Sequence, residues 1–249
     1  MCISANASLG AFSTNLIACI ALLLFGNKNL MHYNVFTAVF LTFVSLMQLV
    51  DYGIWTDLDC SKGFNKIAST AGALINFSQP IIGLLLAVLT LKYTKKGREM
   101  YQNKLKPMES GIFKHFSLIS NKFNFIKAIN LIYIIMFIIA MTVFFTKSTT
   151  HPELLCTKVA NGHLRWSWFE NKIFSINILK YLYHIVIITV IAFNPTSTYL
   201  WIALGTLYTL LAFSTLKYSK NSGEIWCYLV NITALVMLVV QKLFPNYIN

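Results

Sequence analysis

Seven uninterrupted apolar stretches dominate the chain: Leu9–Phe25, Tyr33–Trp55, Ile67–Leu91, Phe125–Phe145, Ile173–Phe193, Thr198–Leu216 and Ile225–Phe244. A helix rises about 1.5 Å per residue, so runs of about 20 residues match the roughly 30 Å of hydrocarbon in a bilayer. Only 11% of the residues are charged and 57% are hydrophobic, too little polar surface to cover a water-soluble globule of 249 residues. A transmembrane β-barrel would show short alternating segments, whereas these runs are continuous, the helical way of satisfying backbone polar groups in lipid. The sequence therefore predicts an all-α, polytopic integral membrane protein: one seven-helix domain over residues 1–249, with a basic link over 92–124. No basic start region or clean small-residue cleavage site accompanies the first run, which is expected to be a retained helix.

The net charge of +12 would point to nucleic acid in a soluble protein. Here the basic residues sit between apolar runs, and no nucleic-acid partner is expected. Nine of them (Lys92, Lys95, Lys96, Arg98, Lys104, Lys106, Lys114, Lys122 and Lys127) flank the link between the third and fourth spans, against Glu99 and Glu109. By the positive-inside rule that link is cytoplasmic, which puts the N-terminus outside or in a lumen and the C-terminus in the cytoplasm. The link also carries Phe113, Phe116, Leu118, Ile119 and Phe123, a composition that suits either a helix lying on anionic lipid headgroups or a solvated loop. On this topology Cys60 and Cys156 both face the non-cytoplasmic side, where a disulfide can form if their Cα atoms come within range. The Asn6-Ala7-Ser8 sequon on that side lies too close to the first helix for ready use.

Polar side chains inside the spans carry the chemistry, since a charged group at a helix centre costs about 2.5 to 3.5 kcal/mol on insertion scales. Ser45, Gln48, Asp51 and Trp55 in the second span are spaced three, three and four, one stripe near the outer end. Glu224, Cys227 and Asn231 form a matching stripe in the seventh. The third span brings Ser69, Asn76 and Gln79, with Pro80 freeing a carbonyl near Asn76. The fifth brings Asn177, Lys180 and His184. An ammonium at the depth of Lys180 needs a partner or loses its proton, and Asp51 and Glu224 are the carboxylates at comparable depth; the alternative is that Lys180 snorkels to the interface and the acids sit in headgroup water. Trp55, Trp166, Trp168, Trp201 and Trp226 read as the interfacial aromatic belt.

No Gly-x-Ser-x-Gly, His-Glu-x-x-His, Walker or dinucleotide-binding motif occurs, the histidines and cysteines lack metal-ligand spacing, and no cofactor or metal is expected. A retinal pigment would need a lysine in the middle of the last helix, which has only Lys242 near its end. No internal repeat is evident. The opening Met1-Cys2-Ile3-Ser4-Ala5-Asn6-Ala7-Ser8 resembles the Met-Cys-x-Ser-Ala-x-x-Ser start of a group of uncharacterised multi-span proteins from bacteria and large DNA viruses. Gln48, Asp51, Gly53 and Trp55 resemble that group's second span, and Trp226-Cys227 its last. The resemblance implies no activity, only that the polar stripes are a shared site. Abundant Lys, Asn and Ile suit an AT-rich genome such as that of a large virus. The leading expectation is a transporter or channel for a small solute or ion, with a polar core opening to the non-cytoplasmic side. Two alternatives remain: a ligand-sensing or interaction protein, and an intramembrane lipid-modifying enzyme using Cys227 or Asp51 with His184.

Overall fold

The computed structural model describes residues 4–93, 123–160, 162–170, 178–180, 182–183, 185–187 and 222–243. These are mostly helical. The order is α1 (Ala5–Phe25), a 3₁₀ turn (Lys28–Leu30), α2 (Met31–Trp55), α3 (Phe64–Tyr93), α4 (Phe123–Thr150), a second 3₁₀ turn (Pro152–Leu155), strands β1 (Lys158–Ala160) and β2 (His163–Arg165), one helical turn (Ser167–Glu170) and α5 (Ser222–Leu243). Residues 178–180, 182–183 and 185–187 are helical as well. Among the described residues, four helices are long and apolar enough to cross a membrane: Ala5–Phe25, Lys28–Trp55, Phe64–Leu86 and Asn130–Thr150. They match the first four apolar stretches. Of the other three expected spans, the sixth lies outside the described residues, the fifth is described only in part, and the seventh appears as the shorter apolar helix Asn231–Leu243 within α5, so four of the seven are matched at full length.

Each boundary has a local cause. Ser4 caps α1 by accepting from the Ala7 amide, while the Ser8 hydroxyl bonds back to the Ser4 carbonyl. The serines of the opening motif thus shape a helix start; Met1, Cys2 and Ile3 lie outside the described residues. Gly26 ends α1 by donating to the Leu22 carbonyl. A β-carbon there would fall 2.3 Å from the Leu22 carbonyl oxygen and 2.5 Å from Asn34 Nδ2, so only glycine fits the turn into α2. The start of α3 is fixed by Asp57, whose carboxylate accepts from the amides of Lys62 and Asn65, both at 3.0 Å. A carboxylate at a helix N-terminus faces the positive end of the dipole.

Glycines set the spacing of α2 and α3. A β-carbon at Gly53 would lie 3.2 Å from the Ala68 β-carbon, and one at Gly72 2.9 Å from Val50 Cγ1. These close approaches pin the register of the two helices. α5 packs against both α1 and α2. Its end is tied to the α1–α2 turn by a ring of amides: Asn27 N donates to Gln241 Oε1 (2.8 Å), Gln241 Nε2 to Asn34 Oδ1 (2.8 Å), and Asn34 Nδ2 to the Asn27 carbonyl (3.3 Å). Large apolar side chains such as Ile17, Leu24, Phe25, Ile67 and Leu131 point outward, as lipid-facing positions do.

The main departure from the sequence reading is at the end of α2. The strands pair antiparallel, Lys158 opposite Arg165 and Ala160 opposite His163, through a turn in which Gly162 has φ +77°. The hairpin folds back onto the helices and carries Trp166 and Trp168 into the core at 5% and 0% exposure. Neither belongs to an interfacial belt. An indole at a loop is interfacial only if nothing brings the loop down over the bundle, and here a covalent bond does so: Cys60 and Cys156 are joined, their Cα atoms 6.1 Å apart.

Candidate functional site

Asp51 lies at the centre of the site. It occupies one stripe of α2 with Ser45 and Gln48, all three buried, Asp51 at 0% exposure; Trp55 one turn further out is half-buried. Trp166 Nε1 donates to Asp51 Oδ1 at 2.9 Å. The Trp166 ring stacks on Trp168 (centroids 4.9 Å apart, 14° between planes), and Trp168 meets Phe77 of α3 edge-on at 5.7 Å. A directed N–H donor and an aromatic wall offset part of the cost of burying the carboxylate. The shield of Asp51 is therefore Trp166, supplied from a hairpin 115 residues along the chain.

A layer of polar contacts above Asp51 holds the hairpin down. Asn65 receives the Thr157 amide on Oδ1 (2.9 Å) and donates Nδ2 to the Thr157 carbonyl (2.8 Å), a two-bond clamp between α3 and the strand region. The Ser69 and Thr157 hydroxyls lie 2.7 Å apart, and Ser69 also donates to Asn65 Oδ1. The Ser167 amide closes on Thr157 Oγ1 at 3.4 Å. Beside them, the nearly buried Asp57 carboxyl is driven upward in pKa by its burial. The amides of Lys62 and Asn65, the Asp59 side chain and the Lys62 charge outweigh that effect and hold it below the usual carboxylate range. Asn65, Thr157 and Asp57 were not singled out from sequence. The Asn161-Gly162 pair, a strong turn signal between short runs, was the available clue to the hairpin.

Deeper in the bundle, Tyr183 donates its hydroxyl to Gln79 Oε1 and Tyr133 donates to the Phe77 carbonyl at 2.7 Å, three residues before Pro80. Gln79, Leu179 and Tyr183 are buried, and the Tyr183–Gln79 bond joins the fifth stretch to α3. Lys180, one turn outward from Tyr183, is half-buried. Asn76 is also buried. Asn231 on α5 is 5% exposed, and among the described residues neither its Oδ1 nor its Nδ2 has a hydrogen-bond partner. His184 and the side chains of Glu224 and Cys227 lie outside the described residues. Among the described residues no three His, Cys, Asp or Glu side chains converge to hold a metal. The structure thus brings Asp51 and Gln48 together under the hairpin, and Gln79 with Tyr183 further in. No protein-family model, curated protein or solved structure matches the chain.

Proposed function

We propose that this chain is an integral membrane transporter or channel for a small solute or ion, with its pathway along the polar stripe of α2. The observation that carries the reading is Asp51, a carboxylate at 0% exposure on a helix apolar enough to cross a membrane. Acidic groups are retained at such positions mainly where they serve a permeant or its counter-ion. Lys180 is the counter-ion in this reading. The positive charge of the link over 92–124 supports a cytoplasmic side for that segment. The Cys60–Cys156 bond supports that orientation, because two loops joined covalently share one side and α3 and α4 cross in opposite directions between them. That side is oxidising, hence non-cytoplasmic.

The expected core opens outward, yet Asp51 here is covered by Trp166. The hairpin is accordingly the outer gate, and passage requires the indole to leave the carboxylate. Flux into proteoliposomes, measured for a panel of ions and small solutes with wild type, Asp51→Asn and Trp166→Phe, tests the reading. Uptake above protein-free vesicles that falls with Asp51→Asn is expected. The absence of uptake for the whole panel refutes transport and leaves ligand sensing through the braced hairpin, which the Trp166 contact favours as the second reading.

A further inference from the structure

The ring of amides at the end of α5 fixes the relative heights of α1, α2 and α5, because Asn27, Asn34 and Gln241 meet there. From that junction, Asn15 lies eleven residues back from Gly26 along α1, Ser45 eleven forward from Asn34 along α2, and Asn231 ten back from Gln241 along α5. At about 1.5 Å per residue all three fall about 15 to 17 Å from the junction, near the middle of a roughly 30 Å bilayer core. The three helices pack on one another pairwise. The spacings repeat on each: Asn15, Cys19, Leu22 and Gly26; Asn34, Ala38, Leu41 and Ser45; Asn231, Ala234, Leu238 and Gln241, all threes and fours that keep one face. Contact between two of the faces is direct, since Asn15 Nδ2 donates to the Leu41 carbonyl at 3.1 Å. The α2–α3 register set by Gly53 with Ala68 and Val50 with Gly72 brings Asn76 to the height of Ser45.

Among the described residues, the side chains brought to this height, Asn15, Ser45, Asn76 and Asn231, are uncharged, and Asn231 is chemically unfinished. Asn231 is 5% exposed and its donor and its acceptor both lack partners. A buried amide left so costs more than a surface polar group, and such groups in proteins are commonly completed by an ordered water or another small bound molecule. Gln79 Nε2, about one turn nearer the cytoplasm and fully buried, also has no partner. The Asn15 and Ser45 side-chain oxygens offer lone pairs beyond the contacts they already make. A charged permeant would meet no opposite charge among these side chains and would bear its desolvation cost against them, whereas a neutral one exchanges hydrogen bonds with water for hydrogen bonds with amides.

The geometry points to a mid-membrane binding site, Asn15, Ser45 and Asn231 between α1, α2 and α5, for a small uncharged molecule that both donates and accepts hydrogen bonds. This rests on the pathway reading above and narrows its permeant from solute or ion to neutral solute. The test uses full-length protein in proteoliposomes under stopped-flow light scattering, with urea as the neutral probe and sodium, potassium and chloride gradients as the charged ones. Urea is expected to equilibrate faster than in protein-free vesicles while the ions do not. Asn231→Leu should slow the urea component about ten-fold, the factor one ordinary hydrogen bond supplies, with the Cys60–Cys156 bond intact. Should Asn231→Leu not fold, Asn231→Ser is read in the same way. Ion flux without urea flux overturns the inference and leaves the pathway standing; urea flux indifferent to Asn231 overturns the site; no flux of either kind overturns both.

Discussion

The Trp166 indole on Asp51 is the contact on which the arrangement turns, and its contribution is measurable. Trp166→Phe removes the donor and shrinks the ring. A hydrogen bond to a carboxylate contributes about 1.5 to 3 kcal/mol, and the void left by the smaller ring costs roughly 1 kcal/mol more. The sum, about 2.5 to 4 kcal/mol, lowers the melting temperature by about 5 to 15 °C for a chain of this size. Asp51→Leu strands the indole N–H at a site where Trp166 is 5% exposed, costing about 1 to 3 kcal/mol for that donor alone. In the double variant neither polar partner remains, so its loss should fall short of the sum of the single losses by about 1.5 to 3 kcal/mol. Thermal melts in detergent followed by circular dichroism give all three values. Additivity within about 0.5 kcal/mol would show that the indole and the carboxylate do not support each other, and the hairpin would then lose its role as a gate.

Three further outcomes follow from the same region and from the helix junction. Reduction of Cys60–Cys156, or Cys156→Ser, releases a closure spanning 96 residues, and chain entropy sets an upper limit of about 4 to 5 kcal/mol on the stability lost; a melt unchanged by reductant contradicts this. Asp57 is held below its ordinary pKa, so its contribution is complete above about pH 4, the unfolded carboxylate value, and disappears as pH falls through the lower folded value. Acid titration should therefore loosen the outer cap below about pH 4 in wild type and less steeply in Asp57→Asn, as read by the accessibility of the Cys60–Cys156 bond to reductant. Gly26→Ala drives a methyl into the Leu22 carbonyl and Asn34 and should destabilise by about 1 to 3 kcal/mol, whereas Gly10→Ala, with nothing within 4 Å, should gain up to about 1 kcal/mol; melts of the two variants that fail to diverge would contradict the close packing at Gly26.

Run length alone made the first four spans legible, and spacing of three and four made the buried face of Ser45, Gln48 and Asp51 legible, because both follow from helix geometry without knowledge of neighbours. The two cysteines on one side of the expected topology are the two that are bonded. What stayed hidden depends on contacts between distant parts of the chain. Trp166 and Trp168 look like interface anchors until the hairpin is seen to fold inward. Asn27, Asn34 and Gln241 look like ordinary polar helix ends until 207 residues of separation are closed by the Gln241–Asn34 bond. Asn65 reads as a loop residue until Thr157 arrives opposite it. Amides are the least legible group, since one side chain serves equally as a cap, a clamp or a binding position, and only its partners decide which.

The Cys60–Cys156 bond also imposes an order on biogenesis. On the proposed topology its second sulfur reaches the oxidising side only after α4 has crossed the bilayer, so the translating ribosome must deliver four helices before this lock can close. Once closed, that lock and the Asn65–Thr157 clamp need nothing made later than the hairpin. The amide ring, by contrast, waits for Gln241, which is synthesised near the end of the chain. On that topology maturation runs from the outer surface inward, and a stalled nascent chain ending shortly after Trp168 would already hold the disulfide and the clamp while the amide ring is still open.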